Sequence, residues 1–289
     1  MSKTFFMRKL SRSGLLLMAP GLLLLLVVFV APLIMLVPTS LHRYVPGTGI
    51  ESAWSLENYV RAVTDEYYLE IIGRTLALGV TVVLVTLILG YPLALFLART
   101  KSRFRPWLII LVVFPLLLNL VVRSFGWIVL LADRGLINDL LKELGLIEQS
   151  IKLMFNYTGL LIGLSHIFLP FMVLVLIGTI QNIPRDVENA ARTLGASTLT
   201  VFWRVTVPLS MPGILSGSVL VFVLTISALV TPRLLGGPTY QVMSTLIFDE
   251  FLKLLNWPRG AAMAFVLTAT VLVLVWAAQR LSRRLGEVR

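Results

Sequence analysis

The chain has 289 residues, of which 57% are hydrophobic and only 13% charged, and its formal net charge is +11. Soluble domains devote about 25% of their residues to charge, so this chain cannot cover a water-facing surface and must use lipid as its solvent. With no cysteine it has no disulfide or thiolate metal site, its two histidines, His42 and His166, form no ligand cluster, and no soluble stretch is long enough for a nucleic-acid module.

A helix needs about 20 apolar residues to cross the hydrocarbon core. Residues 1–13 form a basic tail that looks like the charged end of a signal peptide. The apolar run behind it, 14–37, outlasts a signal core and is followed by no A-x-A-like cleavage site, so a retained anchor helix is predicted. Five more apolar runs follow at 75–98, 107–130, 157–180, 213–232 and 261–280, and 281–289 is a second basic tail. Breaker residues stand between them at Pro46-Gly47, Asp133-Arg134-Gly135 and Gly236-Gly237-Pro238. The expected fold is an all-α integral membrane protein, with one domain of six transmembrane helices over 14–280.

Between the first two runs, Ser55 is a candidate cap for a short helix through Leu56-Glu57-Asn58-Tyr59, and Asp65-Glu66 suits the start of a helix leading into the second run. Such segments either dock a soluble partner or seal the bundle. Lys and Arg set orientation. The first tail holds Lys3, Arg8, Lys9 and Arg12, the connection RTKSRFRP holds Arg99, Lys101, Arg103 and Arg105, and the last tail holds Arg280, Arg283, Arg284 and Arg289. With six spans these three regions share one side with the 181–212 loop, which places both termini and that loop in the cytoplasm. The longer connections at 38–74, 131–156 and 233–260 carry most of the acids and fall outside.

Three spans carry the residues singled out for function. Ionisable groups at membrane depth are costly and are functional candidates by default; no Asp or Glu occurs inside any span. In the third, Arg123 shares a helical face with Asn119 and Trp127 at i, i+4 spacing. On a straight helix it would lie roughly 24 Å above Trp107 at 1.5 Å per residue. It snorkels to the headgroups, faces the translocation path, or pairs with an acid from a connecting loop. In the fourth, Pro170 is expected to bend the helix, while His166 lines the path or is a core histidine bonded to a neighbouring helix. Arg233 follows Pro232 at the end of the fifth, either in the path or in the headgroup zone. Gly79, Gly90 and Gly178 are candidates for close helix contacts.

The 181–212 loop is patterned as a helix–turn–helix. Asn182 is a candidate cap, Pro184 suits a first turn, and Asp186 and Glu188 place negative charge near a helix N-terminus. Val187, Ala190, Ala191 and Leu194 recur at i, i+3, i+4, i+7 and make one apolar face of small residues. Gly195 suits a left-handed helix end. Ser197 suits the cap of a second helix, and Pro208 and Pro212 are expected to stop that helix and start the fifth span. A short helix with such a face either seats in a groove of a partner protein or lies on the headgroups.

Asn189-Ala190-Ala191, three residues, Gly195, nine residues, then Val205-Thr206-Val207-Pro208 resembles the EAA loop of binding-protein-dependent ABC transporter permeases, with Asn189 at the family's glutamate position and Glu188 one residue earlier. SLENYVRAV, GYPLALFLART, LLGGP and NWPRGAA are similar to the spermidine/putrescine-type subfamily. The resemblance implies a type I ABC importer permease fold in a bacterial inner membrane, with the loop as a coupling helix. Its partners would be a cytoplasmic ATPase dimer, a second permease subunit and a periplasmic substrate-binding protein. The chain has no Gly-x4-Gly-Lys-Ser/Thr phosphate loop, so ATP and Mg2+ are expected in the ATPase, with no cofactor in this chain and no enzyme activity of its own. Polyamine permeases of this type tend to carry an acid where this chain has Arg233. An arginine there would repel a polycation by about 4 kcal/mol at 4 Å and an effective dielectric of 20. The expected solute is therefore a polyamine, a related amine, or an anionic organic solute such as an amino-acid derivative, opine or phosphonate. The competing class is an ion-coupled carrier or channel working without an ATPase.

Overall fold

The computed structural model describes residues 3–287, with side chains described from Met18 to Arg280 except Ser52. The basic side chains at 3–12 and 283–289 that orient the sequence reading lie outside the described side chains. The chain divides into two compact units, Met1–Thr64 with Ile247–Val266, and Asp65–Leu246 with Leu267–Arg289.

The first unit opens with α1 (Lys3–Ser40), whose apolar stretch Met18–Ser40 is long enough to cross a membrane and buries no residue before Ser40. A hairpin not foreseen in the all-α reading follows, β1 (His42–Val45) antiparallel to β2 (Gly49–Trp54). Its turn needs left-handed backbone, which Gly47 (φ 93°) and Gly49 (φ 89°) supply. Helix α2 (Glu57–Thr64) starts where the Glu57 N–H donates to Ser55 Oγ. The Asn58 amide donates to the carbonyls of Ser40 and His42, tying α2 to the end of α1. In the 247–266 segment, Leu255 is left-handed (φ 53°) and Asn256 Oδ1 accepts from the Arg259 N–H.

The second unit is built on three helices. Helix α3 (Glu66–Arg99) is capped by Asp65, whose carboxylate accepts from the Tyr67 N–H; α7 (Tyr157–Gln181) is capped by Asn156. They pack with α10 (Val207–Ser227) around Leu78, Val82, Leu97, Leu164, Met172, Leu176 and Val221, all nearly inaccessible. Small residues permit this approach: a Cβ at Gly213 would overlap Thr179, and one at Gly217 would lie 2.8 Å from Met172 Sδ. Gly79 and Gly90 also face neighbouring side chains closely, against Phe222 and Val173, whereas nothing lies within 4 Å of a Cβ at Gly178.

The third apolar run is not one straight helix. Helix α4 (Arg105–Leu117) ends at an extended Leu118, and α5 (Leu120–Leu131) restarts with Asn119 Oδ1 accepting from the Val121 N–H at 2.8 Å. The stretches Arg105–Leu117 and Leu120–Glu143 meet at 95°. The cause is local: Pro115 has no N–H to extend the ladder, and Asn119 caps better than it propagates a helix. The straight-helix height for Arg123 therefore does not hold. A short α6 (Leu136–Glu143) follows, held by Asn138, whose side chain bonds the carbonyls of Ala132 and Ile151 and the N–H of Ile151.

Helix α8 (Arg185–Thr193) and α9 (Thr198–Val201) form the expected pair, but α9 runs through a wide π-helical turn, Phe202–Thr206, directly into α10. Pro208 and Pro212 therefore do not stop the helix: Pro208 stands in the first turn of α10, where its missing N–H costs little. The apolar helix spans Thr198–Ser227, earlier than the expected 213–232, and Pro232–Gly236 forms a separate π-helical turn. Asn182 ends α7 rather than opening α8, which begins after Pro184. Helices α11 (Met243–Leu252) and α12 (Trp257–Glu287) complete the chain. Among the described residues five helices are long and apolar enough to cross a membrane, six if the bent pair is one span.

Candidate functional site

Two groups of residues carry the functional reading: the loop around α8, and the polar residues of α5, α7 and the Pro232–Gly236 turn.

Helix α8 buries none of its residues. Gly195 turns left-handed (φ 86°), and the N–H groups of Gly195 and Ala196 close the helix on the carbonyls of Arg192 and Ala191. Leu194 is left 89% exposed at the tip, with Val187, Asn189 and Ala190 also open to the surroundings. Ser197 Oγ accepts from the Thr200 N–H, and Leu199 and Trp203 extend the exposed apolar surface beyond the turn.

Glu188 behaves differently. Its side chain is 14% exposed and turned toward α3, where Arg99 Nη2 donates to its Oε1 at 2.5 Å. Thr206 Oγ1 donates to the same oxygen at 3.3 Å. Arg99 Nη1 also donates to the Ile183 carbonyl, and Arg185 Nη2 donates to the Arg99 carbonyl. Where the family glutamate stands this chain offers Asn189 to the exterior, while Glu188 is engaged inside. Arg99 and Thr206 were not singled out by sequence reasoning. Arg99 counted only toward the positive-inside bias, and its position at the end of an apolar run, facing an acid 89 residues later, gives no local pattern.

The second group is partly assembled. Trp127 Nε1 of α5 donates to His166 Nδ1 of α7 at 3.2 Å, with the rings edge to face. His166 is thus bonded to a neighbouring helix, and with Nδ1 accepting, its proton sits on Nε2. Arg123 has Nε and Nη1 buried with no hydrogen-bond acceptor. Asn119 is spent on capping α5, and Pro170 is buried within α7, which continues through it. Arg233 lies in the Pro232–Gly236 turn, which is joined to α5 through Ser124 Oγ and Thr231 Oγ1 at 3.4 Å and to α7 through Leu235 against Gly163. Among the described residues no three His, Cys, Asp or Glu side chains gather as metal ligands.

Residues 86–287 match the family described as "Binding-protein-dependent transport system inner membrane component". The chain belongs to this family. It is 35% identical over 267 residues to the spermidine/putrescine transport system permease protein PotB of Escherichia coli K12, covering 91% of this chain and 97% of the relative. It is 32% identical to the PotB protein of Haemophilus influenzae over 81% of both. Among solved structures, a bacterial ABC transporter involved in the import of the acidic polysaccharide alginate superposes with a TM-score of 0.76 at 21% identity, covering 96% of this chain and 98% of that one. The MetNI methionine ABC transporter follows at 0.56 and 14% identity, over 75% of this chain. The chain is a multi-pass inner-membrane permease of an ABC importer, with the fold of that class.

Proposed function

We propose that this permease forms one half of the pore of an ATP-driven importer, crosses the membrane six times with α4 and α5 as one broken span, and keeps both termini in the cytoplasm. Helix α8 seats in a cleft of a cytoplasmic ATPase subunit through Val187, Ala190, Ala191 and Leu194. Gly195 ends that helix, Pro208 lets the next helix enter the membrane unbroken, and Asn189 makes the polar contact. ATP and Mg2+ are held by the ATPase. A second permease subunit, identical or homologous, completes the pore, and a periplasmic binding protein delivers the solute. Closure of the ATPase dimer moves α8 and rocks the two permeases between inward and outward states. The observation that carries this reading is a nine-residue helix that buries nothing and ends in an 89% exposed leucine. An apolar surface so held in water is costly unless a partner covers it. The test is co-purification with the ATPase subunits: Leu194→Asp should abolish it. Transport by the purified permease without any ATPase would refute the reading in favour of a carrier or channel.

For the solute, relatives named as spermidine/putrescine permeases support a small organic amine. A second reading, an anionic organic solute, is favoured by the buried Arg123 Nε and Nη1, which have no acceptor, with Arg233 as a further cation of the path, His166 lining it, and Pro170 and Asn119 shaping the helices around it. Uptake of spermidine and of an anionic amino-acid derivative by Arg123→Gln and Arg233→Asp transporters separates the two. A variant that leaves both uptakes unchanged has no place in the path.

A further inference from the structure

Helix α8 cannot pass on a push through a hydrophobic core, because it has none of its own residues buried. Its connections to the membrane helices are polar and few. Three of them converge on one ion pair. Glu188 Oε1 receives Arg99 Nη2 at 2.5 Å and Thr206 Oγ1 at 3.3 Å, and the backbone of Arg99 receives Arg185 from the first turn of α8. Arg99 is the last residue of α3, a helix of 34 residues and so about 50 Å long. Thr206 closes the π-helical turn that joins α9 to α10. One carboxylate thus touches the end of α3 and the turn that leads into α10.

We infer that the Arg99–Glu188 pair, with Thr206 on the same carboxylate, is the strut that carries movement of α8 into α3 and α10; the inference rests on the reading of α8 as the docking helix. The side chains are 18% and 14% exposed, so water does little to weaken the pair or to offer either group another partner. Arg99 Nη1 donates at the same time to the Ile183 carbonyl, just before α8, which gives the guanidinium a second fixed partner. A displacement of α8 therefore reaches Arg99 as a pull along the ion pair instead of being absorbed by rotamer changes. Neither Arg99 nor Glu188 touches ATP or solute in this account; they position one moving part against another. The π-helical turn fits the same role, since wide turns within α-helices mark places where a helix changes its winding. An inward-turned Glu188 also explains why the docking surface can present Asn189 without losing its attachment to the membrane domain.

The test uses the complete transporter, reconstituted in liposomes with its ATPase and binding protein, and reads three quantities: co-purification of the ATPase, ATP hydrolysis, and solute moved per ATP. Arg99→Gln and Glu188→Gln keep size and polarity and remove one charge each; Arg99→Glu with Glu188→Arg restores a pair in reverse. The expected result is ATPase bound at the wild-type ratio throughout, solute moved per ATP lower by about tenfold in each single variant, and most of that loss recovered in the reversed pair. Single variants that move solute per ATP as well as wild type would overturn the strut, as would a reversed pair no better than either single. Loss of ATPase binding in the single variants would also overturn it, assigning the pair to building the docking surface. Leu194→Asp run in parallel tests the docking reading by itself: if that variant still binds the ATPase, it is α8 docking that fails, whatever the ion pair does.

Discussion

Gly213→Ala tests whether the contact between α7 and α10 is as close as the structure places it. A Cβ at Gly213 would overlap the Thr179 hydroxyl and stand 2.6 Å from Thr179 Cβ and 2.9 Å from its Cγ2, where ordinary contact begins near 3.4 Å. Thr179 cannot step aside easily. It is β-branched within a helix, and its hydroxyl donates to the Val175 carbonyl at 3.1 Å. The helices must separate by a good part of an ångström, and overpacking of this kind costs about 1–3 kcal/mol. Alanine returns about 0.5–1 kcal/mol of helix-interior preference over glycine, leaving a net loss of about 1–2 kcal/mol. For a chain of this size the melting temperature should fall by roughly 2–8 °C. The assay is thermal unfolding of the purified permease in detergent, with Gly178→Ala as the matched control. Gly178 sits in α7, with nothing within 4 Å of its added Cβ, so it should lose nothing and gain about 0.5–1 kcal/mol. A Gly213→Ala protein that melts with or above wild type would refute the close approach.

Leu194→Asp should leave stability within about 0.5 kcal/mol of wild type, since the side chain is 89% exposed, yet abolish ATPase binding; a melting curve beside a pull-down checks both. Trp127→Phe removes the donor to His166 Nδ1 and leaves a part-buried acceptor unmet, a loss of about 1–3 kcal/mol that thermal unfolding would show. Glu250, outside the apolar spans, has a side chain 3% exposed with Oε2 unbonded, and Arg259 Nη1 lies 3.5 Å from its Oε1. Burial pushes its carboxyl above the ordinary 4.5, only partly opposed by Arg259. The folded state therefore binds this proton more tightly than the unfolded chain. Its contribution is full below about 4.5 and is lost as pH rises through the higher folded value. Unfolding measured from about pH 4.5 upward should show stability falling with pH in wild type and a shallower fall in Glu250→Gln.

The sequence is legible where a signal is local and its meaning does not depend on a distant partner. The apolar runs, the left-handed Gly195, the Ser197 and Asp65 caps and the small-residue face of α8 all follow from backbone chemistry within a few residues. His166 could be assigned a neighbouring-helix bond in kind, but not Trp127 as its donor. The break in the third run was hidden because 107–130 is apolar almost throughout, and Pro115 alone reads as a bend. Asn119 reads as sharing a helical face with the path candidate Arg123, whereas its oxygen is needed to start α5. The hairpin at 42–54 was equally hidden, since only its Pro46-Gly47 turn stands out and strands of four and six residues carry too little alternation to register. Glu188 was read as negative charge for a helix end, which is true of its place in α8 and silent about Arg99. Pairings across 89 residues are set by how the helices pack, and no periodicity reports them.

The irregular windings have a common relation to the rigid core. Helix α10 is held by Gly213 and Gly217 against Thr179 and Met172, a contact with no slack. Immediately before it lies the π-helical turn Phe202–Thr206, and five residues beyond its end lies the other, Pro232–Gly236. The first is reached from α8 through Glu188; the second bears Arg233 and packs on α5 and α7. A helix clamped between its ends and wound irregularly on both sides can yield at those ends without opening its core, because wide turns alter winding at less cost than a close-packed interface alters spacing. Movement entering at α8 is then resisted by the α7–α10 contact and expressed at the turns. Gly213→Ala and Glu188→Gln therefore harm transport for different reasons, one by loosening the clamp and the other by cutting the link to it, so restoring the charge pair in reverse, with Arg99→Glu and Glu188→Arg, should recover transport in the second case and do nothing for the first.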